Sequence, residues 1–280
     1  MNTQEVRQAG LDKFYTKPHI AIECINKVFN LYKNRKWDII IEPSAGNGNF
    51  LNQISYPNKI GIDIQPENEN IIQQDFLTYI PDSKYKDILC IGNPPFGKIS
   101  SLAIKFFNHC AKFANVIAFI IPRTFRKNSI HNKLDLNFHL LYDKEIPVKP
   151  CCFEPAMNVK CCFQIWERKD EKRNIIQQDL THSHFNFIPY GCKDENNQPT
   201  PPTNADFAIR AYGGKIGEIC LTNLHTLRPK SWHFIKSNID KNNLIDNLKK
   251  LDYSNSLNTA RQNSMGKAEL IELYKNFLNI

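Results

Sequence analysis

Asn93-Pro94-Pro95-Phe96 is the segment of this 280-residue chain whose residue types point most directly to chemistry. Two successive prolines fix the backbone and remove two N–H donors, so the segment offers acceptors. The Asn93 side-chain oxygen and the Pro94 carbonyl form a rigid acceptor edge, with the ring of Phe96 as an aromatic plane. That edge suits a planar amino group conjugated to a ring or a carbonyl. The lone pair of such an amine is delocalised and poorly nucleophilic. Two acceptors gripping its two hydrogens favour a pyramidal nitrogen with a localised lone pair. This is transition-state stabilisation by preorganised dipoles, and it needs no strong base. Phe96 would stack on a base plane, which is worth about 1–3 kcal/mol per base. The plain alternative is a Pro-Pro turn that ends a strand.

A second constellation begins at Glu42-Pro43-Ser44-Ala45-Gly46-Asn47-Gly48-Asn49-Phe50, where an apolar run leaves through a glycine-rich turn toward a helix. The turn has no Gly-Lys-Ser/Thr, which excludes a phosphate cradle for ATP or GTP hydrolysis. Leu51 stands where a dinucleotide fingerprint needs its third glycine, so close helix packing under a pyrophosphate is not supported. Glycines still allow a ligand close to the backbone. Asp63 ends the next apolar run, 21 residues after Glu42, where an acid can accept hydrogen bonds from ribose hydroxyls. A nucleoside without a pyrophosphate fits both features. Glu42 is placed to meet the amino end of an amino-acid portion of such a ligand; otherwise it is a solvated strand end.

These residues need a scaffold, and the hydrophobic pattern supplies one. Helical spacing runs from Pro18 to Tyr32 and again over residues 101–113. Short apolar runs at 37–41, 59–64, 87–91 and 115–121 read as buried strands, with 138–146 and 159–166 as later ones. Such alternation predicts a parallel-rich sheet covered on both faces by helices. Ligands of these sheets sit beyond the carboxyl ends of the strands, where Glu42, Asp63 and Asn93 fall. After about residue 170 the rhythm changes. A polar loop at 195–204 and a glycine-broken stretch at 207–220 precede helical patterns at 244–251 and 264–278, with Ser264 as the expected N-cap. The expected domains are 1–170 and 171–280.

Composition narrows the partners. Lys and Arg total 36 against 28 Asp and Glu, a formal charge of +8. Such a balance favours polyanions without specifying one. The excess is shared, 22 basic to 17 acidic residues before Asp170 inclusive and 14 to 11 after it, so a nucleic-acid surface must be built by folding. Arg123, Arg126 and Lys127, with Phe125 among them, follow an apolar run and are candidate phosphate contacts on the same rim; a solvated basic turn is the alternative. Arg210, Tyr212, Lys215 and the Trp232-His233-Phe234 triplet suit base contact less well than strand packing. With 41% apolar residues and no run long enough to cross a bilayer, the chain reads as folded, not membrane-bound, not secreted and intracellular. The nine cysteines read as reduced thiols. Cys151-Cys152 with Cys161-Cys162 suggests a zinc site, but adjacent cysteines point to opposite faces of an extended chain, so buried small side chains are expected and no metal.

On the residues quoted, 13 to about 168 resemble the catalytic domain of S-adenosylmethionine-dependent adenine-N6 methyltransferases. Asn93-Pro94-Pro95-Phe96 is similar to their catalytic motif, with Phe96 in place of the commoner Tyr. The resemblance implies a Rossmann-like α/β fold with a mostly parallel sheet, plus a smaller mixed C-terminal module. It implies S-adenosylmethionine as cofactor, held by Glu42, Pro43, Ser44, Ala45, Gly46 and Gly48, by Asp63 and Ile64 at the ribose, and by Asp75 and Phe76 at the adenine. Phe14-Tyr15-Thr16-Lys17-Pro18 resembles the segment beside the methionine moiety, bringing in Tyr15 and Thr16. Asn93 borders both cofactor and substrate. The order of these motifs resembles the gamma arrangement of DNA methyltransferases, in which residues 171–280 would be the target-recognition region. The implied activity is methylation of adenine N6 in DNA, with a restriction partner left open. RNA adenine methylation, protein glutamine methylation and a catalytically silent nucleic-acid-binding module are the other readings.

Overall fold

The computed structural model describes residues 13–279. The first twelve residues of the expected catalytic domain, and Ile280, lie outside the described residues. The chain divides into two compact units, Met1–Ile175 and Ile176–Ile280.

In chain order the first unit carries β1 (Tyr15–Thr16), α1 (Pro18–Leu31), β2 (Ile39–Pro43), β3 (Lys59–Asp63), β4 (Ile71–Gln73), β5 (Ile88–Gly92), α2 (Ser101–Cys110), β6 (Val116–Pro122), a short α3 (Asn128–His131), β7 (Phe138–Ile146), β8 (Phe153–Glu154) and β9 (Cys161–Arg168). Seven strands form one sheet in the order β4-β3-β2-β5-β6-β9-β7. The first five are parallel, and β9 runs antiparallel to both β6 and β7. This is the Rossmann-like, mostly parallel sheet expected from the sequence. Its strand order reverses beside β2, and the crevice at such a reversal is where doubly wound sheets bind ligands.

Unbroken apolar runs make the central strands. Every residue of β2, β5 and β6 is buried, as a parallel strand covered on both faces requires. Proline opens α1, where its missing N–H costs nothing. Ile20, Ala21, Cys24, Ile25 and Val28 turn one face of that helix inward. On α2 the inward residues include Phe106 and Phe107. Phe107 meets Phe138 and Trp166 edge-on.

Helical cover is thinner than expected. The β2–β3 crossover holds only a 3-10 turn at Leu51–Gln53, where the sequence reading places a helix. Gly46, Gly48 and Pro57 leave only residues 49–56 of that crossover free of glycine and proline. The β3–β4 connection, 64–70, is polar and carries no helix. Gly61 in β3 lets the β2–β3 turn settle directly on the sheet: a Cβ there would lie 2.8 Å from both Ala45 Cβ and Leu51 Cδ2.

The second unit has β10 (Phe185–Ile188), β11 (Phe207–Arg210), β12 (Ile219–Cys220), β13 (Trp232–Ser237), α4 (Lys241–Lys249) and α5 (Lys267–Leu278). The antiparallel sheet order is β10-β13-β11-β12. Phe185, Phe207, Ile209 and Ile235 pack with Leu244, Leu248, Leu270 and Tyr274 of the helices. Trp232 and Phe234 are core residues of this unit. Ser264 is not the cap of α5. Gly266 is, and its N–H donates to Glu269 Oε2 at 2.6 Å.

All nine cysteines are free thiols. Burial pushes the thiols of Cys161 and Cys162 up. Among the described residues no three His, Cys, Asp or Glu are grouped to hold a metal ion, and no helix is long and apolar enough to cross a membrane.

Gly61→Ala forces a methyl group into fixed neighbours, so it should cost about 1–3 kcal/mol by overpacking. Denaturant unfolding checks this. An unchanged midpoint would mean that the glycine turn does not rest on β3.

Candidate active site

The site is assembled at the carboxyl ends of β2, β3 and β5, closed by β1. Beyond β2 the chain turns through Ser44 (φ 56), Gly46 (φ 55) and Gly48 (φ 83). Asp63, at the end of β3, holds this turn: its Oδ2 accepts the Gly46 N–H at 2.8 Å and its Oδ1 accepts the Gln65 N–H at 2.8 Å. Each oxygen keeps a second lone pair for a further donor. Ile64, next in the chain, is exposed.

The close approach that Gly46 permits is made by Tyr15 of β1. A Cβ at Gly46 would lie 2.6 Å from Tyr15 Cε1. The Tyr15 hydroxyl donates to Glu67 Oε1 at 2.5 Å, and Lys13 Nζ donates to the same oxygen at 3.1 Å. Burial, then the Glu67 bond, raises the Tyr15 phenol, and the same bond lowers Glu67. Glu67 had no signal in the sequence, since an acid in a polar loop looks like any solvated side chain.

Asn93 follows β5 directly. Its Nδ2 donates to the Phe14 carbonyl at 3.0 Å, and the Ser44 hydroxyl lies 3.4 Å from the Asn93 carbonyl. The amide is therefore oriented by its donor end, and its acceptor end, Oδ1, is buried without a hydrogen-bond partner. Pro94 is buried; Pro95 and Phe96 are half-buried. Gly92 makes room for Glu42, for a Cβ there would lie 3.0 Å from Glu42 Cγ.

Glu42 is only 3% exposed, and its Oε2 has no partner. Burial pushes its carboxyl well above the ordinary value; the Leu51 N–H opposes this, and the Asp63 charge adds to it. The buried Thr16 hydroxyl is also unpartnered. Leaving a buried polar group unpaired costs about 1–3 kcal/mol. Thr16, Glu42 and Asn93 thus hold three such groups within a contact network of β1, the glycine turn and the end of β5. That set fits a ligand with its own cationic and hydroxyl groups.

Other expected site residues lie elsewhere. Phe76 is 2% exposed and belongs to the core. It stacks on Phe106 and Tyr79 and meets His109 and Phe113 edge-on. Its faces are taken, so it offers no open plane to an adenine. Asp75 is exposed, and its Oδ1 accepts the Leu77 N–H at 2.9 Å. The rim arginines are committed to carboxylates. Arg123 pairs with Glu145 at 2.8 Å. Arg126 binds Asp143 through Nε and Nη2, and Glu145 through Nη1 at 2.9 Å. They are not the open phosphate contacts expected. Lys127 is the N-cap of α3, its N–H donating to the Thr124 carbonyl at 3.0 Å.

The raised Glu42 carboxyl makes a signed prediction. Below its ordinary value of 4.5, folded and unfolded chains both keep it protonated. As pH rises further, only the unfolded chain ionises, and the folded state loses relative stability. Glu42→Gln removes this loss. The Tm advantage of the variant in the ligand-free protein should widen as pH rises above that value. A difference that does not change with pH would contradict the burial argument.

No protein-family model matches the chain. Over 105 residues it is 30% identical to the type II methyltransferase M.HincII of Haemophilus influenzae, covering 35% of this chain and 20% of that one. The figures for the type II methyltransferase M.HindII of Haemophilus influenzae Rd are 30%, 35% and 19%. The chain spans about a fifth of the length of these curated relatives. A solved structure of the 23S rRNA methyltransferase ErmE is 13% identical, with a TM-score of 0.41 over 57% of this chain and 71% of that one. The magnesium protoporphyrin IX methyltransferase of Synechocystis has 12% and 0.38 over 54% and 80%. At those scores the likeness adds nothing to the strand order already described.

Proposed function

We propose that this protein transfers a methyl group from S-adenosylmethionine to the exocyclic N6 amine of adenine in DNA. The observation that carries the reading is the Asn93 side chain, tied at Nδ2 to the Phe14 carbonyl and leaving Oδ1 buried and unpartnered. The local identity to two type II methyltransferases supports methyl transfer as the reaction, and the formal charge of +8 suits a polyanionic substrate such as DNA.

Each residue then has a definite task. Asn93 Oδ1 accepts one hydrogen of the target amine and the Pro94 carbonyl accepts the other. This draws the lone pair out of conjugation before the C–N bond forms. The oxygens are preorganised, so no reorganisation is needed as charge develops. Neither is a strong base, and the surplus proton leaves to water after transfer. Phe96 stacks on the adenine plane. In duplex DNA the target must first leave the base stack to reach this edge.

S-adenosylmethionine, when bound, supplies an electrophilic methyl on a sulfonium. Glu42 takes the ammonium of its methionine part, and the incoming cation favours the ionised carboxylate. Asp63 receives ribose hydroxyls on the lone pairs left by Gly46 and Gln65. Tyr15 and Thr16 close the methionine side, and the turn through Pro43, Ser44, Ala45, Gly46 and Gly48 forms the floor. Asp75, rather than the buried Phe76, is available to the adenine. The second unit is assigned to target recognition.

Asn93→Ala should lower the rate of methyl transfer to DNA by about 10²–10³-fold. Affinity for S-adenosylhomocysteine, read by calorimetry, should stay within about threefold, because Glu42 and Asp63 are untouched. Undiminished turnover by this variant would contradict the assignment.

A further inference from the structure

Immediately after the Asn93–Phe96 edge the chain makes a tight loop. The Leu102 and Ala103 N–H groups both donate to the Phe96 carbonyl, at 3.2 and 3.3 Å. The hydroxyls of Ser100 and Thr124 lie 2.7 Å apart and tie the loop to the segment following β6. Gly97 (φ 66) allows the winding, for a Cβ there would sit 2.8 Å from Leu102 Cβ. At the loop's apex, Ile99 is left-handed, with φ 53 and ψ 40, and is 78% exposed.

The conformation and the exposure of Ile99 both work against the free protein. A β-branched residue is strained in the left-handed region, where glycine or asparagine rests easily. An isoleucine so exposed gains nothing from burial. Ile80 is as exposed, but its backbone is not left-handed. Only at Ile99 do strain, exposure and a place three residues from the proposed base-stacking ring coincide. A rigid, apolar, projecting side chain is what a wedge between base steps requires, and Ile, Leu, Phe and Met serve as such wedges.

We propose that Ile99 is a positioning residue that enters the base stack of duplex DNA and fills the gap left when the target adenine moves to Asn93. The inference rests on the DNA reading above. The closed loop holds the side chain in place before contact, so little freedom is lost on insertion. Filling the gap keeps the neighbouring bases in contact with an apolar surface instead of water.

The test first maps the target sequence by methylating plasmid DNA with the full-length protein and labelled S-adenosylmethionine. Initial rates are then measured on two synthetic duplexes carrying that sequence, one fully paired and one with the target adenine in a mismatch, where extrusion costs least. Ile99→Gly should lose at least about tenfold on the paired duplex and stay within about twofold on the mismatched one. Ile99→Leu should retain most of the paired-duplex rate. Ile99→Gly should also melt at or above the wild-type temperature, since the strain is relieved. Equal losses on both duplexes, or no loss on the paired one, would overturn the wedge. Wild-type protein that methylates neither plasmid nor duplex overturns the DNA reading itself, a result separable from the variant comparison.

Discussion

The hydrogen bond from Asn93 Nδ2 to the Phe14 carbonyl is the constraint on which the site depends. An amide side chain can present either end, and a free one would turn its oxygen to the nearest donor. Here the donor end is spent on a backbone acceptor from β1. The oxygen is left buried with nothing to accept from. The stiffness of Pro94 and Pro95 prevents the backbone from relaxing around it. An unpaired acceptor held this way has a cost in stability, and a ligand hydrogen removes it.

That constraint reaches back through the fold. Phe14 is in position because β1 pairs with β8, Tyr15 opposite Glu154 and Thr16 opposite Phe153. The Lys17 N–H adds a further bond to the Cys152 carbonyl. The same β1 lays the Tyr15 ring on Gly46, and Asp63 fixes Gly46 through its N–H. The acceptor edge and the glycine turn are therefore held by one small ribbon. Glu42 is sealed beneath them by the space that Gly92 leaves. Stability is lower here than an apolar filling would give, as is usual where a protein keeps polar groups for a ligand.

Much of the sheet was legible from the chain alone. Continuous apolar runs marked β2, β3, β5, β6 and β9, and the residues with chemical potential were read at their carboxyl ends. What escaped the sequence depended on partners distant in the chain. Phe76 looked like an adenine platform, but Phe106, His109 and Phe113 arrive from the α2 region and enclose it. Arg123 and Arg126 looked like open cations, but Asp143 and Glu145 on β7 neutralise them. The role of the Phe14 carbonyl had no signature, because a backbone acceptor is the same in every residue. The helix expected after the glycine turn shrank to the 3-10 turn Leu51–Gln53, with Pro57 close behind it. In the second unit, Trp232-His233-Phe234, for which strand packing was the favoured reading, is the start of β13, two of its rings buried.

The central claim is that an amine-activating edge acts on adenine. Its most direct measurement is incubation of the protein with methyl-labelled S-adenosylmethionine and a mixture of DNA, RNA and protein, followed by nuclease digestion and nucleoside mass spectrometry. The account predicts label in N6-methyladenine of DNA. Label confined to RNA or to protein, or no transfer at all, would contradict it.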